Sequence, residues 1–566
     1  MIRVAVVGGG PKCLFALLAL HDRLPAHSRA HISADVYDPF PPGSGSVWRE
    51  DQPHLLRLNV NAGIVDASST LNEADFAGWL AHAAPGFTGE KYPPRALVGC
   101  YLREQFQLLE EHGNVAVTHA PHAVTAVDRE GAKWQVQGAF GSELYDEVLV
   151  ATGHGLGDVK PWQPQPGQAL TGALNPYPLI GSYSSLTTSC IGADSNVWIR
   201  GSALTAYDVA LLLTEGRGGS WQGPTNGAPT RELRYVPSGR EPKSITFASR
   251  SGLLMNPKSE AVPPAITACL DRFKASLHLA GNQFRTARPD AGQLNGLWVV
   301  LLRCAQDCAL IMGTPVSALA LWRAALTGVS VAAGSGSLSG ARSRGPEESG
   351  PQESGPVGEL RNSLLVNYCQ APVTTGWLWA RVWSGLYADL IAVLDRVPKS
   401  PQAGRQFATV ARNLERFAFG PPEQTARKLL ALFDAGILHM ARGGEDPAQG
   451  AELIDAVTPG PGVLSRPAPE GGPTSGLFAG LLAHGHVWVR AGERGLLTDP
   501  DGTCLARDGS RTLSLAAVGR PTEDPTLGHD TLNRGLHGEH QRWAQRIAAR
   551  VTALESTPTQ PRALKE

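Results

Sequence analysis

Residues 2–13 read Ile2-Arg3-Val4-Ala5-Val6-Val7-Gly8-Gly9-Gly10-Pro11-Lys12-Cys13, and continue as Leu14-Phe15-Ala16-Leu17-Leu18-Ala19-Leu20. Further on stands Ala34-Asp35-Val36-Tyr37-Asp38-Pro39. An apolar strand, a glycine turn, an apolar helix and a second strand ending in an acid follow the order of a dinucleotide-binding βαβ unit. Gly8 permits the tight turn out of the strand. Gly10 has no side chain, so a pyrophosphate can approach the backbone. Pro11 suits a first helical turn, where its missing N–H costs nothing. The free N–H groups and the positive dipole end of that helix then face the anion. Asp38 stands where a carboxylate accepts hydrogen bonds from a ribose hydroxyl. Cys13 occupies the third glycine position, so helix and strand must pack around a small thiol.

The bulk numbers bound the class. The 566 residues suggest two to four domains, and 42% hydrophobic against 18% charged residues describes a globular chain. Lys plus Arg is 50 and Asp plus Glu is 51, a net charge of −1, so no global field recruits nucleic acid or an anionic membrane. The run Leu14 to Leu20 is too short to span a bilayer. It follows a glycine turn and lacks a cleavage pattern, which argues against a signal peptide. The eight cysteines are scattered. Cys304 and Cys308 fall on one predicted helix, but no matching pair or histidine cluster completes a zinc site. The expectation is reduced thiols, no metal and a cytoplasmic protein.

Residues 39–70 are a loop-rich excursion containing Trp48 and Asn59. A short amphipathic helix is predicted over 73–84, and a proline-started helix runs from Tyr92-Pro93-Pro94-Arg95 to about Glu111. Short strands follow over 114–150, ending in Glu147-Val148-Leu149-Val150-Ala151-Thr152-Gly153-His154. This brings Gly153 to the carboxyl edge of a parallel sheet, where α/β proteins bind ligands. A second βα element reads Asn196-Val197-Trp198-Ile199-Arg200-Gly201-Ser202-Ala203. Only Gly201 of the glycine pair remains, with Ala203 in the second place. Ser244 to Ser251 reads as a strand ending at Arg250, which suits either the 2′-phosphate of NADP or a solvated surface.

Residues 260–330, 363–397 and 403–440 are helical by spacing, and Trp377, Trp379, Trp383 and Tyr387 read as core. Residues 333–358 are low in complexity and predicted disordered. Ala451 to Val457 reads as a strand, as does Leu513 to Val518, which ends in Gly519. A final helix is expected at about 531–554, with His537 and His540 on a solvated face rather than as a metal pair.

Taken together the chain resembles a bacterial family of FAD/NAD(P)-binding proteins, distantly related to class B flavin monooxygenases and amino-acid N-hydroxylases. The residues that carry the likeness are Gly8-x-Gly10-Pro11, Tyr37-Asp38-Pro39, Gly43-x-Gly45-x-x-Trp48 and Tyr92 to Gly99. They continue through Ala151 to His154, Gly201 to Asp208, Gly216 to Gly219, Pro237 to Pro242, Ser249 to Gly252, Phe419 to Pro422 and Val518 to Glu523.

The resemblance implies an α/β fold: a Rossmann-like FAD-binding domain, a second nucleotide-binding-like domain and a helical insertion. The expected division is 1–160 for the first part of the FAD domain, 161–260 for the NAD(P)-binding-like domain, 261–450 for the helical region and 451–566 for the part that completes the FAD domain. FAD would lie on Gly8, Gly10 and Pro11 with Asp38 at the adenosine ribose, Trp48 and Asn59 on the flavin side, and Gly519 near the ring or ribityl chain. NADPH or NADH would approach Gly201 and Arg250. The implied activity is an NAD(P)H-using monooxygenase acting on a small polar substrate, with hydroxylation of an amine as one form of it. A reductase without oxygen insertion and a non-catalytic flavin-binding protein stand as alternatives.

Overall fold

In the computed structural model the first apolar run forms β1 (Ile2–Val7), and Pro11 opens α1 (Pro11–His21). The described residues are 1–153, 183, 186, 191–223, 233–286, 294–333, 355–441 and 445–555. His154 and most of the predicted disordered segment lie outside them, while residues 356–358 already belong to a helix. The chain packs as two units, one mainly Met1–Val159 with Pro459–Glu566, the other mainly Tyr183–Thr458.

In the first unit β2 (Ile32–Tyr37) is followed by α2 (Phe76–Ala83), α3 (Arg95–His112) and β3 (Ala116–Ala120). A three-stranded antiparallel sheet comes next, β4 (Val124–Glu130), β5 (Lys133–Gly138) and β6 (Gly141–Tyr145), before the chain returns as β7 (Glu147–Val150).

The chain then enters the second unit. There β8 (Asn196–Arg200) leads into α4 (Leu204–Leu213), the antiparallel pair β9 (Ser220–Gln222) and β10 (Arg234–Val236), and β11 (Ser244–Ala248). Among the described residues eight helices follow: α5 (Pro264–Thr286), α6 (Asn295–Ile311), α7 (Ala318–Thr327), α8 (Pro356–Asn367), α9 (Thr375–Gly385), α10 (Tyr387–Leu394), α11 (Pro401–Ala418) and α12 (Glu423–Asp434). Strands β12 (Leu438–Met440) and β13 (Glu452–Asp455) finish the unit. Its sheet has the order β12-β11-β8-β13 with every neighbouring pair parallel.

One expectation is corrected here. The strand at 452–455 belongs to this second sheet, where Leu453 pairs with Trp198 and Asp455 with Arg200, and not to the C-terminal part that rejoins the first unit. An apolar strand reads alike in either sheet, so only the partner decides. The aromatic residues of α9 are core, as read: Trp379 is fully buried and its indole N–H donates to the Leu321 carbonyl at 2.8 Å.

The first unit is completed by α13 (Gly476–Ala483), β14 (Thr503–Leu505), β15 (Arg511–Ala517) and α14 (Glu539–Glu555). Its main sheet runs β14-β15-β7-β1-β2-β3, parallel except for β14 at one edge. The pleat sends alternate side chains to opposite faces. Val4 and Val6 join the core made with α1, α3 and α14, while Ala5 and Val7 join Trp134, Val136, Leu477 and Phe478 on the other face. A sheet covered on both faces needs a nearly continuous apolar strand, which is what residues 4–7 supply.

Helix α14 starts later than the spacing suggested, at Glu539. It is tied to β7 by ion pairs: the buried Glu147 carboxylate accepts from Arg546 Nη2 at 2.5 Å and Arg550 Nη1 at 2.7 Å.

Candidate nucleotide-binding site

Strand β1 lies between β2 and β7, so the turn after Val7 emerges at the carboxyl edge beside the ends of both neighbours. This is the position at which open α/β sheets bind ligands. The three glycines of the turn have different tasks. Gly8 has a φ of +103°, and a Cβ there would lie 2.4 Å from the Ala151 carbonyl oxygen. It is required by the fold, because only glycine combines that φ with so close a strand end. A Cβ on Gly9 would meet the Asp38 side chain at 2.9 Å and Pro42 at 3.3 Å. Gly10 has an ordinary extended backbone, φ −73° and ψ −171°, and among the described residues a Cβ on it meets nothing within 4 Å. Neither backbone strain nor a protein neighbour requires glycine there.

The loop after β2 closes over the turn. Gly43 donates its N–H to the Gly9 carbonyl at 2.7 Å, and a Cβ on Gly45 would lie 3.0 Å from the Gly10 Cα. Glycines on both sides thus allow backbone to pack on backbone. Helix α1 begins at Gly10 without a side-chain cap. Its first-turn N–H groups and dipole give this end a positive sign.

Asp38 takes hydrogen bonds from the chain itself: Gly9 N–H donates to Oδ2 at 2.7 Å and Phe40 N–H to Oδ1 at 2.8 Å. Burial raises its pKa, while these two donors pull it back down. Cys13, at the third glycine position, is fully buried; burial pushes its thiol well up, so it is a neutral packing group.

The remaining expected residues fall as follows. Trp48 is half-buried on the loop that touches the turn, and its carbonyl lies where a Cβ on Gly99 of α3 would collide. Asn59 is half-buried in a segment held by Pro93 to Arg95: Leu58 N–H donates to the Pro93 carbonyl at 3.0 Å, and Arg95 N–H to the Leu56 carbonyl at 2.8 Å. Gly153 is exposed at the end of β7 with a φ of +64°. Gly519 is buried after β15 with a φ of +79°, and a Cβ there would lie 2.8 Å from Lys12 Cγ. The C-terminal return therefore reaches the first turn of α1.

In the second unit Gly201 has a φ of +126° and donates its N–H to the Ala248 carbonyl at 2.7 Å. Arg250 is exposed in the turn just past β11. Gly201 and Arg250 thus share the carboxyl edge of the second sheet, and α4 likewise starts without a side-chain cap, at Ala203.

Several residues of the first site were missed. Thr152, beside Gly8, has a buried hydroxyl with no protein partner among the described residues. Lys12 donates to the Thr531 carbonyl at 3.2 Å, and burial pushes its ammonium down to about 8 against the upward pull of Glu539, Asp530 and Glu523. Glu523 is pushed up to about 7 by burial, opposed by Arg520, whose Nη1 donates to Oε2 at 2.8 Å. The solvated face expected for His537 and His540 is overturned, since both are buried. His537 stacks on His529 with ring centroids 4.3 Å apart. His540 meets Phe15 edge-on at 5.8 Å, and neither of its ring nitrogens has a hydrogen-bond partner among the described residues. A charged residue in the first helical turn after the glycines was the available signal for Lys12; the histidines gave none, because the final helix starts at 539 and not 531.

The open space over Gly10, the uncapped helix start and the Thr152 hydroxyl, without a partner among the described residues, fit the diphosphate of a dinucleotide. Residues 5–155 match the model of an FAD-NAD(P)-binding family. An L-aspartate N-monooxygenase (nitrosuccinate-forming) of Streptomyces cremeus is 31% identical over 301 residues, 46% of this chain and 43% of that protein. A nitrosuccinic acid synthase of Aspergillus oryzae is 29% identical over 277 residues, 44% of this chain and 40% of that one. The match thus spans less than half the length of these relatives. Among solved structures, a Kutzneria sp. 744 ornithine N-hydroxylase aligns with 98% of this chain and 99% of its own at 12% identity and a TM-score of 0.47. With its strand order and glycine cradle the first unit has a Rossmann-type α/β fold, and residues 5–155 are similar to an FAD-NAD(P)-binding family.

Proposed function

We propose that the protein is an FAD-dependent, NAD(P)H-using monooxygenase that oxidises the amine nitrogen of a small polar substrate, an α-amino acid of the aspartate type. The observation that carries the reading is the cradle at Gly10, open to a ligand and built from backbone, within a chain similar to two nitrosuccinate-forming proteins.

Bound FAD supplies hydride acceptance and the activation of dioxygen. The chain's own residues have plainer work. Gly8 and Gly10 with the start of α1 would hold the diphosphate, Asp38 would fix the turn and meet the ribose, and Thr152 would give its hydroxyl to the cofactor. Gly201 and Arg250 would receive the nicotinamide nucleotide. Glu523, pushed up to about 7, holds a proton at its carboxyl near neutral pH in reach of Arg520. No metal is needed for this chemistry, since the cofactor carries it.

The test is turnover by the purified protein with NADPH, FAD and L-aspartate, and with other amino acids in parallel, reading the product by mass spectrometry. The proposal expects oxygen from dioxygen on the substrate nitrogen. NADPH oxidation that yields hydrogen peroxide alone with every amine would assign the chain to the reductases instead.

A further inference from the structure

Three thiols converge in the helical part of the second unit. Cys304 and Cys308 stand one turn apart on α6, so they project from the same face. Cys269 comes from the neighbouring α5. The three sulfurs all lie within 4.8 Å of one another, and the residues are buried, none more than 1% exposed. Cys308 is within hydrogen-bonding reach of both Cys304 and Cys269. At the rim the Arg272 guanidinium reaches the Cys269 thiol, and Arg272 Nη2 lies 4.0 Å from Asp307 Oδ2. The sequence showed only the pair on α6, because Cys269 lies on a different helix.

Two simpler explanations fit less well. A free cysteine packs as a small hydrophobe and is commonly buried, so burial alone says nothing; the convergence of three sulfurs from two helices is what simple packing leaves unexplained. The other described cysteines, Cys13, Cys100, Cys369 and Cys504, belong to no such group. A disulfide between Cys304 and Cys308 is also disfavoured. Residues four apart on a helix hold their Cβ atoms about 5–6 Å apart, against about 3.8 Å in a disulfide. A bridge from Cys269 to either would leave the third thiol unused. Sulfurs around a single ion are a better match: metal–sulfur bonds of about 2.3 Å set neighbouring ligands a little under 4 Å apart, inside the observed spacing.

We propose that Cys269, Cys304 and Cys308 form a buried trithiolate site for a thiophilic metal ion of the Zn²⁺ or Cu⁺ class, which clamps α5 to α6. On binding, each thiol releases its proton to solvent and its sulfur donates an electron pair to the ion; nothing is oxidised or reduced. Three thiolates around a divalent ion carry one net negative charge, and the Arg272 guanidinium at the rim offsets it.

The test uses the full chain purified under reducing, anaerobic conditions. Its metal content is measured after separate loading with Zn²⁺ or Cu⁺ and gel filtration, and Co²⁺ is added to a metal-free sample to look for near-ultraviolet sulfur-to-cobalt charge-transfer absorption. One ion per chain and a cobalt band are expected, lost in Cys308→Ser and kept in Cys369→Ser, whose cysteine is exposed. Zn²⁺ or Cu⁺ uptake alone also supports the site and names the ion. Circular dichroism checks that the variant folds. If it does not, release of the ion from the wild-type protein by an organomercurial that titrates three thiols serves in its place. A wild-type protein that takes up none of the three ions, or a folded Cys308→Ser that binds as much as the wild type, would overturn the proposal.

Discussion

The Gly9 N–H donates to Asp38 Oδ2 at 2.7 Å, so the acid at the end of β2 holds the glycine turn in place. A carboxylate has about four acceptor positions. Gly9 and Phe40 use two of them, and the others remain for a ribose. Asp38→Asn keeps the shape but loses the charge-assisted bond, a contact worth about 1.5–3 kcal/mol. FAD affinity, read by fluorescence titration of the flavin-free protein, should fall at least tenfold, and further in Asp38→Ala. Because burial raises the Asp38 pKa, affinity should also start to fall at a higher pH than an ordinary carboxylate would dictate. Unchanged affinity in both variants would remove Asp38 from the site.

Arg250 stands exposed at the carboxyl edge of the second sheet beside Gly201. If it meets a 2′-phosphate, Arg250→Ala should raise the KM for NADPH about 5- to 150-fold, the loss of a charge-assisted contact of about 1–3 kcal/mol. The KM for NADH should hardly move. Equal changes for both nucleotides would mean that Arg250 only faces solvent.

Glu147 is buried at the start of β7 and is held by Arg546 and Arg550 of α14. Removing Glu147 leaves Arg550 without this carboxylate and Arg546 with Asp501, 3.3 Å from its Nε. Glu147→Leu should cost about 3 kcal/mol in urea unfolding. A loss within the range of surface substitutions, about 0.5 kcal/mol, would show that α14 docks by its apolar face alone.

Burial pushes the His540 pKa down to about 3 from an ordinary value of 6.5, chiefly by desolvating the imidazolium. Between those two pH values the unfolded chain binds a proton that the folded chain does not, so this residue lowers stability as pH falls. The contribution is at most about 1.4 kcal/mol per pH unit in that window. Glu523 works in the opposite sense: its folded pKa, about 7, lies above its ordinary 4.5, so its neutral form favours the fold below pH 7 and that benefit fades as pH rises from 4.5. His540→Phe should therefore lose less stability than the wild type between pH 6.5 and 4.5. Parallel pH profiles would mean that His540 is not buried as a neutral ring.

Much of this arrangement was legible locally. Val4 to Val7, the glycine turn and Asp38 define a strand, a turn and a strand end within a short stretch, and the parallel sheet follows from them. The motif from Tyr92 to Gly99 found its reason only in three dimensions: Pro93 and Arg95 pin the segment that carries Asn59, and Gly99 makes room for the Trp48 backbone. What local pattern could not give was partnership. The strand at 452–455 looks the same whichever sheet it joins, and the histidines near residue 537 look solvated until Phe15 and His529 are found against them. Cys269 lacks a visible partner until α5 and α6 are side by side.

Gly10 distinguishes a ligand site from a mere turn. Its backbone suits any residue, and a Cβ there meets no atom of the described residues within 4 Å, so Gly10→Val should fold and melt as the wild type does. In the space reserved for the diphosphate, however, the added isopropyl group should exclude FAD. The decisive measurement is the flavin occupancy of purified Gly10→Val beside its melting temperature in the absence of added flavin. A colourless variant that takes up no added FAD, with a melting temperature matching the flavin-free wild type, is the predicted result. A variant that is as yellow as the wild type would contradict it.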